Sequence, residues 1–153
     1  MLLHKVKKIN KGGDYMSKTY NIFISHSWTY DDQYKGLKKL LDSNPYFNYV
    51  DYSVPKNNPI HDVGNDKELK EAITEQMKHA SVVIILAGVY STYSKWINKE
   101  ISIAKNGFYN PKKIIAVEYW GAEKTSAVVK ENADKIVKWQ ADSIIDAIRE
   151  LSN

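Results

Sequence analysis

The chain has 153 residues, 43% of them apolar and 26% charged, which is enough for one domain with its own core. It has no cysteine, so disulfide scaffolds, thiolate metal sites and thiol nucleophiles are excluded. The net charge of +4 is uneven: four of the 22 basic and one of the 18 acidic groups lie in residues 1–15, leaving 18 against 17 elsewhere. A near-neutral body gives no electrostatic case for nucleic-acid binding.

Residues 1–15, MLLHKVKKINKGGDY, have no clear helical or strand period, and their apolar part is too short for a signal peptide. Lys11-Gly12-Gly13-Asp14 is encodable as AAA GGA GGT GAT, which reads as a bacterial ribosome-binding sequence just ahead of Met16. The expectation is a disordered or upstream-translated leader over 1–15 and one domain over 16–153. No apolar stretch reaches the ~20 residues that span a bilayer. The lack of cysteine fits a reducing compartment, so no membrane association and a cytoplasmic location are expected.

Strands and helices then alternate. Tyr20–Ser25 (YNIFIS) predicts a strand, and Asp31–Ser43 a helix with Tyr34, Leu37, Leu40 and Leu41 at helical spacing. Phe47–Ser53 is aromatic and β-branched, hence a second strand. After a loop with Pro55, Pro59 and Gly64, Asn65 and Glu68 make a capping box for a helix. Leu69, Ala72, Ile73, Met77 and Ala80 are its apolar face.

Ser81–Gly88 (SVVIILAG) is apolar on both alternating faces, as a central strand covered on both sides requires. Trp96, Ile97, Ile101, Ala104 and Phe108 predict a helix over about Ser94–Asn106, stopped by Gly107. Lys113–Glu118 is a fourth strand, Ser126–Ala133 a helix, Lys135–Trp139 a short fifth strand. Ile144, Ile145, Ile148 and Leu151 mark the last helix. Such alternation implies a parallel sheet with helices on both faces, and right-handed crossovers favour the order 2-1-3-4-5. Ligands in such sheets sit at the carboxyl ends of the strands, near the switch between the first and third. This points to Ser25–Tyr30 and Gly88–Glu100.

Several chemistries fail on those segments. Ser25–Tyr30 contains no glycine to cradle a phosphate. Ile85-Leu86-Ala87-Gly88 has no aspartate for a phospho-acceptor, and no Gly-x-Ser-x-Gly elbow occurs. His4, His61 and His79 are spaced too irregularly for a metal. What remains is Ser91-Thr-Tyr-Ser-Lys-Trp-Ile-Asn-Lys-Glu100. Trp96 and Glu100 are four apart on one side of a helix, at the edge of the core stripe of Ile97, Ile101 and Ala104. A carboxylate beside a large ring in a partly desolvated cleft suits cationic chemistry: the ring stacks on a flat heterocycle and the carboxylate meets developing positive charge.

FISHS after the first strand and STYSKWINKEI after the third, with YVDYSVP in the second, resemble the TIR domain superfamily, most closely its bacterial TIR-like branch, the ThsB component of Thoeris antiphage systems. The resemblance runs from about Lys18 to the C-terminus. It implies a TIR-like, five-stranded parallel sheet in the flavodoxin-like order 2-1-3-4-5. It also implies cleavage of the nicotinamide–ribose bond of NAD, with Glu100 as catalytic carboxylate and Trp96 as platform. NAD is then substrate, and no separate cofactor or metal is expected. Ser25, His26 and Ser27 are expected to line the cleft floor, Ser53 to stand beside them, and Tyr90 to cover the nicotinamide side. The expected product is a cyclic ADP-ribose-type signalling nucleotide, or ADP-ribose, acting on a separate effector protein, with self-association of the enzyme. The alternative within the superfamily is a non-catalytic interaction module, which needs neither Trp96 nor Glu100. A third reading is a deoxyribosyltransferase-like enzyme with the carboxylate as covalent nucleophile.

Overall fold

A strand without a single polar residue has to be covered on both faces, and Val82–Ala87 is the middle strand of five in the computed structural model. The structure describes residues 8–9, 15–16, 18–25, 31–53, 66–87, 95–119 and 126–152. In chain order the elements are β1 (Lys8–Ile9), β2 (Tyr15–Met16), β3 (Thr19–Ser25), α1 (Asp31–Asp42), β4 (Asn48–Asp51), α2 (Asp66–Met77), β5 (Val82–Ala87), α3 (Lys95–Asn106), β6 (Lys113–Glu118), α4 (Ala127–Asn132), β7 (Lys135–Lys138) and α5 (Ala141–Leu151). The main sheet runs β4-β3-β5-β6-β7, parallel throughout, which is the order 2-1-3-4-5 that the alternation predicts.

Successive strand residues point to opposite faces, so the sheet has two cores. On one face Phe23, Val83, Ile85, Ile114 and Ala116 meet Ile73 and Met77 of α2, Ile97, Ile101 and Ala104 of α3, and Val129 of α4. On the other, Ile22, Ile24, Val82, Ile84, Ile115 and Val117 meet Leu37 and Leu41 of α1 and Ile144, Ile145 and Ile148 of α5. Each fully buried aliphatic side chain contributes about 1.5–3 kcal/mol of transfer free energy, so these two layers dominate stability. Among the described residues no helix is long and apolar enough to cross a membrane.

Local chemistry sets the boundaries. The Ser126 hydroxyl accepts from Val129 N at 3.4 Å and caps α4. Gly107 ends α3 as predicted: its N–H donates to Ile103 O at 2.7 Å, and a Cβ there would stand 2.7 Å from that same oxygen. The capping residue predicted for α2, Asn65, lies outside the described residues.

Three stretches differ from the sequence reading. The second predicted strand is shorter, Asn48–Asp51 rather than Phe47–Ser53. Phe47 N is used by a turn to Asn44 O at 3.1 Å, and at the other end a side chain replaces the ladder. Trp139 leaves β7 and packs edge-on against Tyr119, with ring centroids 4.7 Å apart. Residues 1–15, which have no strand period, contribute to a two-residue antiparallel ladder, Lys8↔Met16 and Ile9↔Tyr15. Two residues a side are too few to leave an alternation in the sequence.

Candidate functional site

Helix α3 decides where Glu100 goes. Of its buried positions 97, 100, 101, 103 and 104, all but 103 follow the i, i+3, i+4, i+7 pattern of one apolar stripe. Glu100 therefore sits inside the stripe rather than at its edge, and is only 1% exposed. Placing a carboxylate where the pattern asks for an aliphatic residue costs free energy, so the position is not explained by packing. The flanking residues face the other way. Lys99 Nζ pairs with Asp66 Oδ1 of α2 at 3.2 Å, and Asn98 and Ser102 help line a groove of about 820 Å³ between the outer sides of α2 and α3. Asp66, Leu69, Lys70 and Ile103 complete that groove, whose charges are mixed. Glu100 takes no part in its lining and belongs to the side that meets the sheet.

Ser25 is the last residue of β3 and lies beside Ile85 in the register. Ile85 and Phe23 both belong to the α2–α3 core, so alternation puts the Ser25 side chain on that face too. Glu100 and Ser25 thus share one side of the sheet, with Ser25 at the carboxyl edge. Ser25 is fully buried, and its hydroxyl has no hydrogen-bond partner among the described residues. An orphaned buried hydroxyl costs about 1–3 kcal/mol, and a polar group of a ligand would relieve it.

Ser53 is on the opposite face. Asp51 lies beside Ile22, which belongs to the α1–α5 core, and Ser53 follows two residues later. The Ser53 hydroxyl accepts from Ile24 N at 2.9 Å and donates to Asp51 Oδ1. Its proton is committed, and a lone pair is all it can offer a ligand. The other Asp51 oxygen accepts the Tyr34 hydroxyl of α1, with Lys38 Nζ 3.6 Å away. Burial first, then the hydrogen bond and charge of Asp51, push the Tyr34 hydroxyl well above the usual tyrosine range.

Of the other predicted site residues, His26, Ser27 and Tyr90 lie outside the described residues, as does the side chain of Trp96. The backbone of Trp96 is in α3, one turn before Glu100. Among the described residues no group of three or more His, Asp or Glu side chains is placed to hold a metal. Sequence reasoning missed Asp51, Tyr34 and Lys38. The one local signal is an Asp two residues before a Ser, an Asx-type turn, which recurs too widely to mark a site.

The comparison with protein families matches residues 23–124 to the model described as "Thoeris protein ThsB, TIR-like domain". That span covers both strand ends and the whole of α3. No curated protein matches the chain significantly.

Proposed function

The chain belongs to the Thoeris ThsB TIR-like domain family of antiphage defence, and from that premise we propose that it is an enzyme that cleaves the nicotinamide–ribose bond of NAD. The observation that carries the reading is a glutamate, Glu100, buried to 1% within an apolar helical stripe, on the sheet face where Ser25 ends β3.

The chemistry accounts for the residues. When the N-glycosidic bond breaks, both bonding electrons leave with nicotinamide, which departs neutral from a cationic ring, so no strong general acid is needed. Positive charge appears on the ribose, as in glycoside hydrolysis. A preorganised carboxylate in a water-poor setting stabilises that charge most, and Glu100 has this role. Ser25 offers its hydroxyl to the ribose or a phosphate. In this reading Trp96 offers its ring as a platform, Tyr90 covers the nicotinamide side, and His26 and Ser27 contribute to the cleft floor. Water adding at C1′, with loss of a proton, gives ADP-ribose. Attack on C1′ by a nucleophilic atom of the same bound molecule, with no water added, closes a cyclic ADP-ribose, provided the pocket folds the substrate back and keeps water out. A cyclised product would act as a signal to a separate effector protein, and self-association of the enzyme would complete its active form.

The test is nicotinamide release from NAD by the full chain and by Glu100→Gln. The variant is expected to be slower by about 10²–10³-fold, the usual loss for one preorganised electrostatic group. Equal turnover removes Glu100 from the mechanism. Absence of release from both proteins favours an interaction module. Product mass separates the outcomes, since ADP-ribose is one water heavier than the cyclised product.

A further inference from the structure

The ladder between β3 and β4 does not end where its backbone pairing ends. Tyr52 N donates to Ile22 O at 2.8 Å, beyond the last residue of β4. The next β3 amide facing that edge, Ile24 N, donates to a side chain, Ser53 Oγ, at 2.9 Å. The rung is set by Asp51. One of its oxygens accepts both the Ser53 backbone N–H, at 2.8 Å, and the Ser53 hydroxyl. Its other oxygen accepts the Tyr34 hydroxyl and lies 3.6 Å from Lys38 Nζ. The Asp51 side chain is 11% exposed, so these charge-assisted bonds are little weakened by water. Asp51 therefore ties α1, the end of β4 and the end of β3 together, on the face away from Glu100. One residue past the clamped amide comes Ser25, whose hydroxyl is on the Glu100 face.

We propose that Asp51 is a positioning residue: acting through Ser53 on Ile24 N–H, it holds the carboxyl end of β3 so that Ser25 presents its hydroxyl on the Glu100 side of the sheet. The kinetic half of this inference rests on the NAD-cleaving reading; the positional half does not. A hydroxyl that contacts the sugar or phosphate in both ground and transition state contributes to KM. Loosening its strand end raises KM and leaves kcat nearly unchanged. A substitution that merely unfolds part of the protein removes active molecules, lowering apparent kcat at constant KM.

The experiment uses the full chain in four forms: wild type, Asp51→Ala, Asp51→Asn and Tyr34→Phe. Amide hydrogen exchange at Ile24 is followed by NMR, with Val83 and Ile84 of the central strand as internal references. In Asp51→Ala the Ile24 amide is expected to exchange at least about fivefold faster, the size of one lost net hydrogen bond, with the references unchanged. Asp51→Asn keeps an acceptor for Ser53 and is expected to restore most of the protection; Tyr34→Phe removes a bond that holds Asp51, is expected to speed Ile24 exchange, and serves should Asp51→Ala not fold. KM for NAD is expected to rise severalfold in Asp51→Ala, with kcat within about twofold, and to stay near the wild-type value in Asp51→Asn. Unchanged Ile24 exchange in Asp51→Ala and in Tyr34→Phe overturns the proposal, and so does a fall in kcat at constant KM in either. If the wild type and Glu100→Gln release no nicotinamide, the functional reading fails separately, and the exchange data alone decide whether Asp51 holds the strand.

Discussion

Glu100 and Lys99 are neighbours in the chain and face opposite ways: Glu100 is 1% exposed against the sheet, while Lys99 reaches across to Asp66 of α2 at 3.2 Å. The contrast separates a buried carboxylate from an ion pair between two helices at the surface. Residues kept for function are often retained at a cost in stability. Glu100→Met is therefore expected to be at least as stable as wild type, while NAD cleavage is lost. Lys99→Met is expected to change stability by less than about 1 kcal/mol and leave nicotinamide release intact. Urea titrations beside the nicotinamide assay check both. A Glu100→Met protein that is clearly less stable than wild type would mean the carboxylate is structural.

Alkaline stability follows from two tyrosines. Tyr49 donates to Asp42 Oδ1 at 2.8 Å, and Tyr34 donates to Asp51. Burial, then the hydrogen bond and charge of the aspartate, raise both hydroxyls above the usual range. The folded protein thus holds these protons more tightly than the unfolded chain. The stability they contribute is complete below the ordinary tyrosine value of about 10 and is lost as pH rises above it. Tyr34→Phe is expected to be less stable at neutral pH by about 1 kcal/mol and to lose stability less steeply above pH ~10. Denaturation midpoints measured from pH ~7 to ~11.5 decide this, and equal slopes would refute the assignment.

Gly107 tests the end of α3. An added Cβ would stand 2.7 Å from Ile103 O and 3.1 Å from Ile103 Cγ2. The obstructing oxygen is backbone, so relief requires the helix end to move. Gly107→Ala is expected to cost about 1–3 kcal/mol, the usual penalty for overpacking. A thermal or urea midpoint equal to wild type would show that the turn yields freely.

Lys112 closes α2 from outside the helix. Its ammonium donates to Lys78 O at 3.0 Å and Ala80 O at 2.7 Å, and lies 4.8 Å from the centre of the Phe108 ring. Carbonyls near a helix end lack intrahelical donors and favour a cation. Lys112→Met keeps the aliphatic stem and removes these bonds, so a loss of about 1–2 kcal/mol is expected. Calorimetry on the two proteins measures it, and no difference would mean that water replaces the ammonium at no cost.

Patterns within a few residues are legible in the sequence. Val82–Ala87 and Lys113–Glu118 read as buried strands because each is an unbroken apolar run or nearly so, and the sheet order follows from alternation and handedness. The clamp on β3 was not legible. Tyr34 and Asp51 are 17 residues apart, and Ile24 and Ser53 are 29 apart. Nothing in either segment names the other. The strand pattern of the sequence runs on to Ser53, past the end of β4, because Ser53 continues the pairing with its side chain rather than its backbone.

Sequence alone determined the fold class and the spacing that sets Glu100 three residues after Ile97 and four before Ala104, because helical and strand periods are local properties of the chain. It left open whether a charged residue at that spacing turns to water or inward. Tertiary packing decided it: α3 lies with its 97, 100, 101 and 104 side against the sheet, and burial depends on which surfaces meet. The same packing put Ser25 on the Glu100 face and Ser53 on the other, a division set by register between strands far apart in the chain.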